Sequence, residues 1–371
     1  MRSSALVAAL ALATAAAAAP AFRLAEPGHR WEFPRDHHAH PGYRNEWWYV
    51  TGVVEDVADP GRRFGFQLTF FRLGIAPAAP RLDSAWAASD AVMAHLAVTD
   101  VAAGTHAFSE VVWRAMPLLG GFPPPGEPLL AWARAPAGTD GRWTLALADG
   151  VFRLSARDDA QLLGLELAAR PEKPVALQGP DGLSRKSAEE GHASLYLSIT
   201  RLATEGTLTS GGRTYRVRGE SWLDQEIGSS ELAPDQVGWD WWSLRLADGR
   251  DVMLYALRRA DGEPSWRTGT LVGRDGRVRI LAPGEWSVRA IGTWRSAASG
   301  AVYPSGWEIT LPEEGVRATA IPLVRGSENV SQRIPGLSYW EGPVGLTGPD
   351  GVTIGVGYVE LTGYTHSRLP L

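Results

Sequence analysis

One local design occurs twice in this chain of 371 residues. Glu46-Trp47-Trp48-Tyr49 opens one apolar run, and Asp240-Trp241-Trp242-Ser243 opens another. Each is followed by a second apolar run ending in arginine, residues 66–72 in the first case and 252–258 in the second. An acidic-Trp-Trp cluster leading into paired strands, repeated so far along the chain, predicts two related β-domains. It also sets carboxylates beside large aromatic faces. That pairing can hold an apolar ligand, and it can protonate one.

Nearly everything after residue 43 reads as short alternating strands separated by turn residues. Seven Asp-Gly dipeptides punctuate the chain, from Asp140-Gly141 to Asp350-Gly351, and Asp-Gly tolerates the positive φ of tight hairpins. Residues 145–154 and 243–254 are the clearest hairpins. No helix-length stretch of period 3.6 follows the N-terminal leader, so the expected class is all-β, with antiparallel barrels or sandwiches. The ends of the two halves also resemble each other, residues 194–220 matching 338–360. The expected boundary lies near residue 230, giving domains over 22–230 and 231–371. The first half is longer by roughly 50 residues, which fall in the Pro-rich stretches 74–91 and 115–140.

Residues 1–21 read as a secretory leader: Arg2, an Ala/Leu/Val-rich run, and the small-x-small site Ala19-Pro20-Ala21. Cleavage there would start the mature chain at Phe22 and leave no membrane-spanning run, so the expected place is the periplasm or the medium. The chain has no cysteine, which removes thiol nucleophiles and thiolate metal sites and leaves stability to the core. The sequon Asn329-Val330-Ser331 has meaning only in a eukaryotic secretory route. Net charge is -5, with no basic stretch to track a phosphate backbone, which sets nucleic acid aside. Sixteen Trp is a high count and points to aromatic-lined cavities as well as core.

The densest candidate site is Trp222-Leu223-Asp224-Gln225-Glu226. On a strand, Glu220, Trp222, Asp224 and Glu226 share one face. Three carboxylates on an enclosed face repel each other, so at least one holds its proton near neutral pH. On a solvated strand end the same residues would simply meet arginine partners. Asp240 is a second acid if its face points inward and an inter-strand salt-bridge partner if it does not. Glu46 poses the same question, with Arg72 and Arg258 as the natural partners of Glu46 and Asp240. The candidate acids are therefore Asp240, Asp224 and Glu226, with Trp47, Trp48, Trp222, Trp241, Trp242 and Tyr255 holding the ligand. His37-His38-Ala39-His40 places two imidazoles on one side of an extended chain, but no third ligand follows and no metal is assigned. His95 reads as a strand histidine or a proton relay, and Ser184 with Lys186 is a weak Ser/Lys pair. Nucleophile-elbow, phosphate-loop and dinucleotide motifs are absent.

Several segments together resemble a known group: 33–37, His40-Pro41-Gly42-Tyr43-Arg44-Asn45-Glu46-Trp47-Trp48-Tyr49-Val50, 64–72, Gly219-Glu220-Ser221-Trp222-Leu223-Asp224, Gly238-Trp239-Asp240-Trp241-Trp242, and 358–364. They are similar to the lipocalin-like, AttH-type proteins related to carotenoid 1,2-hydratase (hydroxyneurosporene synthase), over about residues 33–364. The resemblance implies two lipocalin-like (calycin-like) antiparallel β-barrels packed together. It also implies that some relatives add water to an isoprenoid double bond without a cofactor. Others hydrate prenylated phenolics or carry out pericyclic cyclisation. Members often carry His and Trp where this chain has Gln225 and Ile227. The expectation is an exported protein binding a small apolar or amphipathic ligand, either as a cofactor-free hydratase or as a carrier of lipid or prenyl compounds. A hydrolase of an ester-containing lipid is a third reading.

Overall fold

A computed structural model of the chain describes residues 21–77, 84, 86–230 and 232–365. The leader expected over 1–21 lies, Ala21 apart, outside the described residues. Among the described residues the helices are two 3-10 turns, Arg35–His37 and Pro180–Gly182, and none is long and apolar enough to cross a membrane.

The first sheet comprises β1 (Asn45–Asp56), β2 (Arg63–Gly74), β3 (Asp90–Asp100), β4 (Thr105–Arg114), β5 (Gly120–Gly121), β6 (Leu129–Arg134), β7 (Arg142–Ala148), β8 (Val151–Asp158), β9 (Leu163–Pro171), β10 (Ala176–Leu177), β11 (Leu183–Arg185), β12 (Ala193–Ser210) and β13 (Arg213–Ser230). Next come β14 (Gln236–Leu246), β15 (Asp251–Arg259), β16 (Pro264–Val272), β17 (Val278–Leu281) and β18 (Ser287–Ala290). The chain ends with β19 (Thr293–Arg295), β20 (Val302–Pro304), β21 (Trp307–Leu311), β22 (Val316–Pro322), β23 (Glu328–Val330), β24 (Ser338–Thr347) and β25 (Thr353–Leu361). β19 and β20 form a separate ribbon, and the other ten of these form the second sheet. Strand pairing is antiparallel throughout both sheets.

The first sheet runs β4-β3-β2-β1-β13-β12-β9-β8-β7-β6-β5 and curls until its ends meet, β3 and β4 packing on β5 and β6. Trp113 on β4 donates across this seam to the Arg134 carbonyl at 2.9 Å, so the barrel is nearly closed. The second sheet runs β17-β16-β15-β14-β25-β24-β22-β21-β18 around its own core. The hairpins expected at 145–154 and 243–254 are β7–β8 and β14–β15. In the first, Asp149 and Gly150 both take positive φ (53° and 73°), the geometry a two-residue turn requires. The order β2-β1-β13-β12 in one sheet matches β15-β14-β25-β24 in the other, so the repeated sequence design is a repeated topology.

Strands at the centre of each sheet are buried on both faces, which is why they read as almost unbroken apolar runs. Along β1, Trp48 and Val50 enter the first core while Tyr49 joins an aromatic layer shared by the two sheets. Along β14, Trp242 and Leu244 enter the second core while Trp241 joins the same layer. The sheets touch closely. A Cβ on Gly65 of β2 would lie 2.6 Å from Pro343 Cγ of β24, so only glycine lets that ring seat. Asn329 is fully buried at this seam, bonded to Gln67 at 3.2 Å and His106 at 2.8 Å, so the sequon is no surface feature of the folded chain.

Both expected acid–arginine pairs form. Glu46 and Arg72 are direct cross-strand neighbours with Nε–Oε2 at 3.2 Å, and Arg258 Nε meets Asp240 Oδ1 at 2.8 Å.

Candidate active site

The carboxylate row on β13 turns toward the second sheet, and its odd-numbered neighbours Leu223, Gln225 and Ile227 turn the other way. Cations then decide the fate of each acid. Glu220 meets Arg201 at 2.8 Å and Arg245 at 3.5 Å. Glu226 meets the Lys186 ammonium and the Ser194 hydroxyl. Asp224, between them, has neutral partners: the Tyr196 hydroxyl at 2.7 Å, the Trp222 indole N–H at 2.7 Å, and the Ser198 hydroxyl. Its carboxyl is almost fully buried. Burial pushes its pKa up to about 7, outweighing three hydrogen bonds that favour the ionised form, with Glu226 adding repulsion.

The facing wall supplies a second such group. Glu360 on β25 lies opposite Trp241 in register and accepts from Trp239 Nε1 at 3.0 Å. Burial raises it to about 7, and the charges of Glu226 and Asp224 add to the effect. Behind it Glu341, its cross-strand neighbour on β24, is fully buried beside the Tyr49 hydroxyl. Burial and then the charge of Glu360 hold Glu341 well above the usual carboxylate range.

Asp224, Glu226 and Glu360 face a partly open chamber of about 80 Å³ between the sheets. Trp47, Tyr49, Gln67, Phe71, Tyr196, Asp224 and Glu226 line it from one side, and Trp239, Trp241, Tyr255, Leu257 and Glu360 from the other. Lys186 and Leu232 complete the rim. The Tyr49 ring meets Trp241 edge-on across the gap, with centroids 5.4 Å apart. The lining is aromatic with a few convergent polar groups, the usual make-up of a small-molecule site.

Of the residues anticipated from sequence, Asp224, Glu226, Trp47, Trp241 and Tyr255 come together here. Trp222 lies just beneath, fully buried, its N–H on Asp224 and its ring edge-on to Trp241 at 6.2 Å. It supports the acid without lining the chamber. Trp48 and Trp242 do not reach it, because strand alternation sends the second Trp of each cluster into its own core. Asp240 is out of phase with Trp241 for the same reason. It is held by Arg258 and the Tyr364 hydroxyl (2.9 Å), while the Arg258 guanidinium lies 3.8 Å over the Tyr364 ring. Asp240 is therefore a structural ion-pair partner and not a chamber acid.

Sequence reasoning missed Glu360, Glu341, Tyr196 and the Lys186–Glu226 pair. The signal for Glu360 was present, since Tyr358 and Glu360 share phase on the closing strand and mirror the β13 row. Ser184 Oγ lies 2.9 Å from the Tyr255 hydroxyl and 3.5 Å from the Lys186 ammonium, whose close partner is the Glu226 carboxylate. His95 is buried in the seam, 2.6 Å from the Tyr339 hydroxyl, its pKa lowered by burial to about 3. Gln225 donates to Glu46 at 3.1 Å on the opposite face of β13, away from the chamber.

The AttH-like family model matches residues 24–364. The crystal structure of a protein described as an AttH from Nitrosomonas europaea superposes with a TM-score of 0.78 at 33% identity, covering 93% of this chain and 100% of that one. The two share the lipocalin-like arrangement of a nearly closed barrel and a second sheet. Kievitone hydratase from Nectria haematococca superposes with a TM-score of 0.64 at 14% identity, over 90% of this chain and 92% of that one, a likeness of fold. No match is found among curated proteins.

Proposed function

This chain belongs to the AttH-like family, and on that footing we propose that it is a cofactor-free hydratase, adding water across a carbon–carbon double bond of an apolar, isoprenoid-like substrate. The observation that carries the reading is the pair Asp224 and Glu360. Each lines an aromatic chamber from a different sheet, and both titrate near neutral pH because they are buried. A hydratase needs one carboxyl protonated and another ionised at the same pH, and two coupled acids of similar pKa supply that. A structural neighbour named as a hydratase supports the class of reaction. The Ala-rich leader supports export, with the reaction taking place outside the cytoplasm.

The sequence of events follows from placement. Asp224 passes its proton to one alkene carbon, directly or through the Tyr196 hydroxyl that it contacts. The cation left on the neighbouring carbon faces the rings of Trp241, Trp47 and Tyr255, whose π-faces stabilise positive charge. One water, oriented by Glu360, adds to that carbon and gives its surplus proton back to a carboxylate. One C–H and one C–O bond form, one π bond is lost, and the proton count is unchanged. Such chemistry requires that the bound substrate limit access to one attacking water.

The test is turnover of short prenyl alkenes in isotopically labelled water, read by mass spectrometry. Label in the product of the wild type, lost in Asp224→Asn, supports the reading. Unlabelled substrate together with saturable quenching of Trp fluorescence makes the protein a carrier instead.

A further inference from the structure

The N-terminal segment before β1 carries a second cluster far in sequence from the chamber acids. Ring nitrogens of His29 and His40 and a carboxylate oxygen of Asp36 lie within 4.8 Å of one another. His29 Nε2 is 3.5 Å from Asp36 Oδ2, and His40 Nε2 is 3.6 Å from Asp36 Oδ1. We propose that these three side chains bind one divalent first-row transition ion, with zinc the best match to their chemistry, and that the ion staples the N-terminal segment to the first barrel.

Several observations support this. Tetrahedral zinc holds its ligands about 2.0–2.1 Å away, which spaces them about 3.4 Å apart, close to both contacts to Asp36. His29 Nε2 is buried and makes no well-formed hydrogen bond, which a ring nitrogen ordinarily finds. The outer groups are already set. His40 Nδ1 meets Glu46 Oε1 at 2.9 Å, which turns Nε2 toward Asp36, and Glu46 is fixed in turn by Arg72 and Gln225. A carboxylate behind a ligating histidine is the usual outer partner at such centres. Asp36 itself is oriented by the Glu32 N–H at 2.7 Å and Arg35 Nε at 2.9 Å. Two imidazoles among three donors disfavour calcium and magnesium. Both rings keep some exposure (17% and 15%), so the cluster lies close to the surface.

The set is not the His38/His40 pair that chain alternation suggested. His38 Nδ1 faces the Pro123 carbonyl at 3.3 Å, and His37 packs edge-on against Phe152. The 3-10 turn at Arg35–His37 breaks the alternation and brings Asp36 round to His40, while His29 arrives from the preceding loop. With an ion bound, residues 29, 36 and 40 would be tied to one another and, through Glu46, to β1.

The experiment uses untagged protein stripped with a chelator, then titrated with zinc or cobalt(II). One ion per chain is expected, with a raised thermal midpoint and visible ligand-field bands for cobalt. His29→Gln changes a partly exposed ring and should weaken binding by at least ~10-fold, while His38→Gln should leave it unchanged. In the wild type, zinc should slow modification of His29 and His40 by diethyl pyrocarbonate but not that of His192, a readout that needs no variant. Absence of stoichiometric binding, equal binding by His29→Gln, or lack of selective protection would each overturn the site. None of these outcomes bears on the hydratase reading, which rests on other residues.

Discussion

Glu226 and Glu360 hold the same place in the two sheets: one is the direct cross-strand neighbour of Trp47, the other of Trp241. Each Trp is the first of its acidic-Trp-Trp cluster. The repeated design thus delivers a Trp–Glu couple from both sides into one chamber. The copies then differ. Lys186 pairs with Glu226, whereas Glu360 receives an indole N–H, and burial with the nearby charges of Glu226 and Asp224 raises its pKa. Asp224, two residues from Glu226, likewise takes its hydrogen bonds from neutral donors.

Turnover should therefore depend on Asp224 and Glu360 and far less on Asp240. Asp224→Asn and Glu360→Gln are each expected to lower kcat/KM by ~10²–10⁴-fold, the range for removing a general acid or base. The substitutions are nearly isosteric, so circular dichroism should be unchanged. In the wild type, kcat/KM against pH should be bell-shaped around neutrality. The two limbs belong to the coupled pair and to neither residue alone. A flat profile, or a wild-type rate in Asp224→Asn, would rule out the assignment.

The same two acids predict how stability varies with pH. Their folded pKa values are raised to about 7, while an unfolded chain ionises them near 4. Between those values the folded chain binds more protons than the unfolded one. The stabilisation is complete below about pH 4 and is lost as pH rises toward 7, at up to ~1.4 kcal/mol per pH unit per group. Urea unfolding from pH 4 to 8 should show this decline, and Asp224→Asn or Glu360→Gln should each flatten it. A stability that rises with pH through this window in the wild type and is unchanged in the variants would contradict the burial argument.

Much of this was legible in the sequence, and the limits have a physical cause. Asp-Gly turns and alternating runs disclose hairpins because turn chemistry is local. The row Glu220-x-Trp222-x-Asp224-x-Glu226 disclosed a shared face because strand period is fixed. What alternation cannot give is the phase, meaning which face looks into a barrel and which toward the partner sheet, when both are buried. For that reason the sequence alone does not distinguish Trp48, Trp242 and Asp240 from residues that face the ligand. β14 carries a Trp on each face, and nothing local says that Trp241 rather than Trp242 meets the chamber. The phase of β25 sets Glu360 with Tyr358, but its place opposite Trp241, more than a hundred positions away, is beyond the reach of a local pattern.

Asp240 offers the contrasting experiment. It is buried against Arg258, whose guanidinium also donates to the Thr362 carbonyl and covers the Tyr364 ring. Asp240→Ala strands a buried cation, and such one-sided removal costs about 3–5 kcal/mol. The denaturation midpoint should fall accordingly, while kcat of the folded fraction at permissive temperature stays within a few-fold of wild type. Loss of turnover without loss of stability would instead place Asp240 at the chemistry.

The chamber exists only while the sheets stay docked, and Gly65 against Pro343 is one close point of that docking. The backbone of Gly65 is extended, so a side chain there meets no conformational obstacle, only the proline ring at 2.6–2.8 Å. A pyrrolidine cannot bend aside as a flexible side chain could. Gly65→Val should therefore move the sheets apart and cost about 1–3 kcal/mol, typical of overpacking. Separation would wet Trp241 and shift its fluorescence to longer wavelength. It would also hydrate Asp224 and Glu360, bring their pKa values back toward those of ordinary carboxylates, and slow turnover even though neither acid is altered. Pro343→Ala in the Gly65→Val background removes much of the clash, so a double-mutant cycle should recover a measurable part of the loss. If the two substitutions proved additive, contact between the sheets at this point would not be what keeps the acids dry.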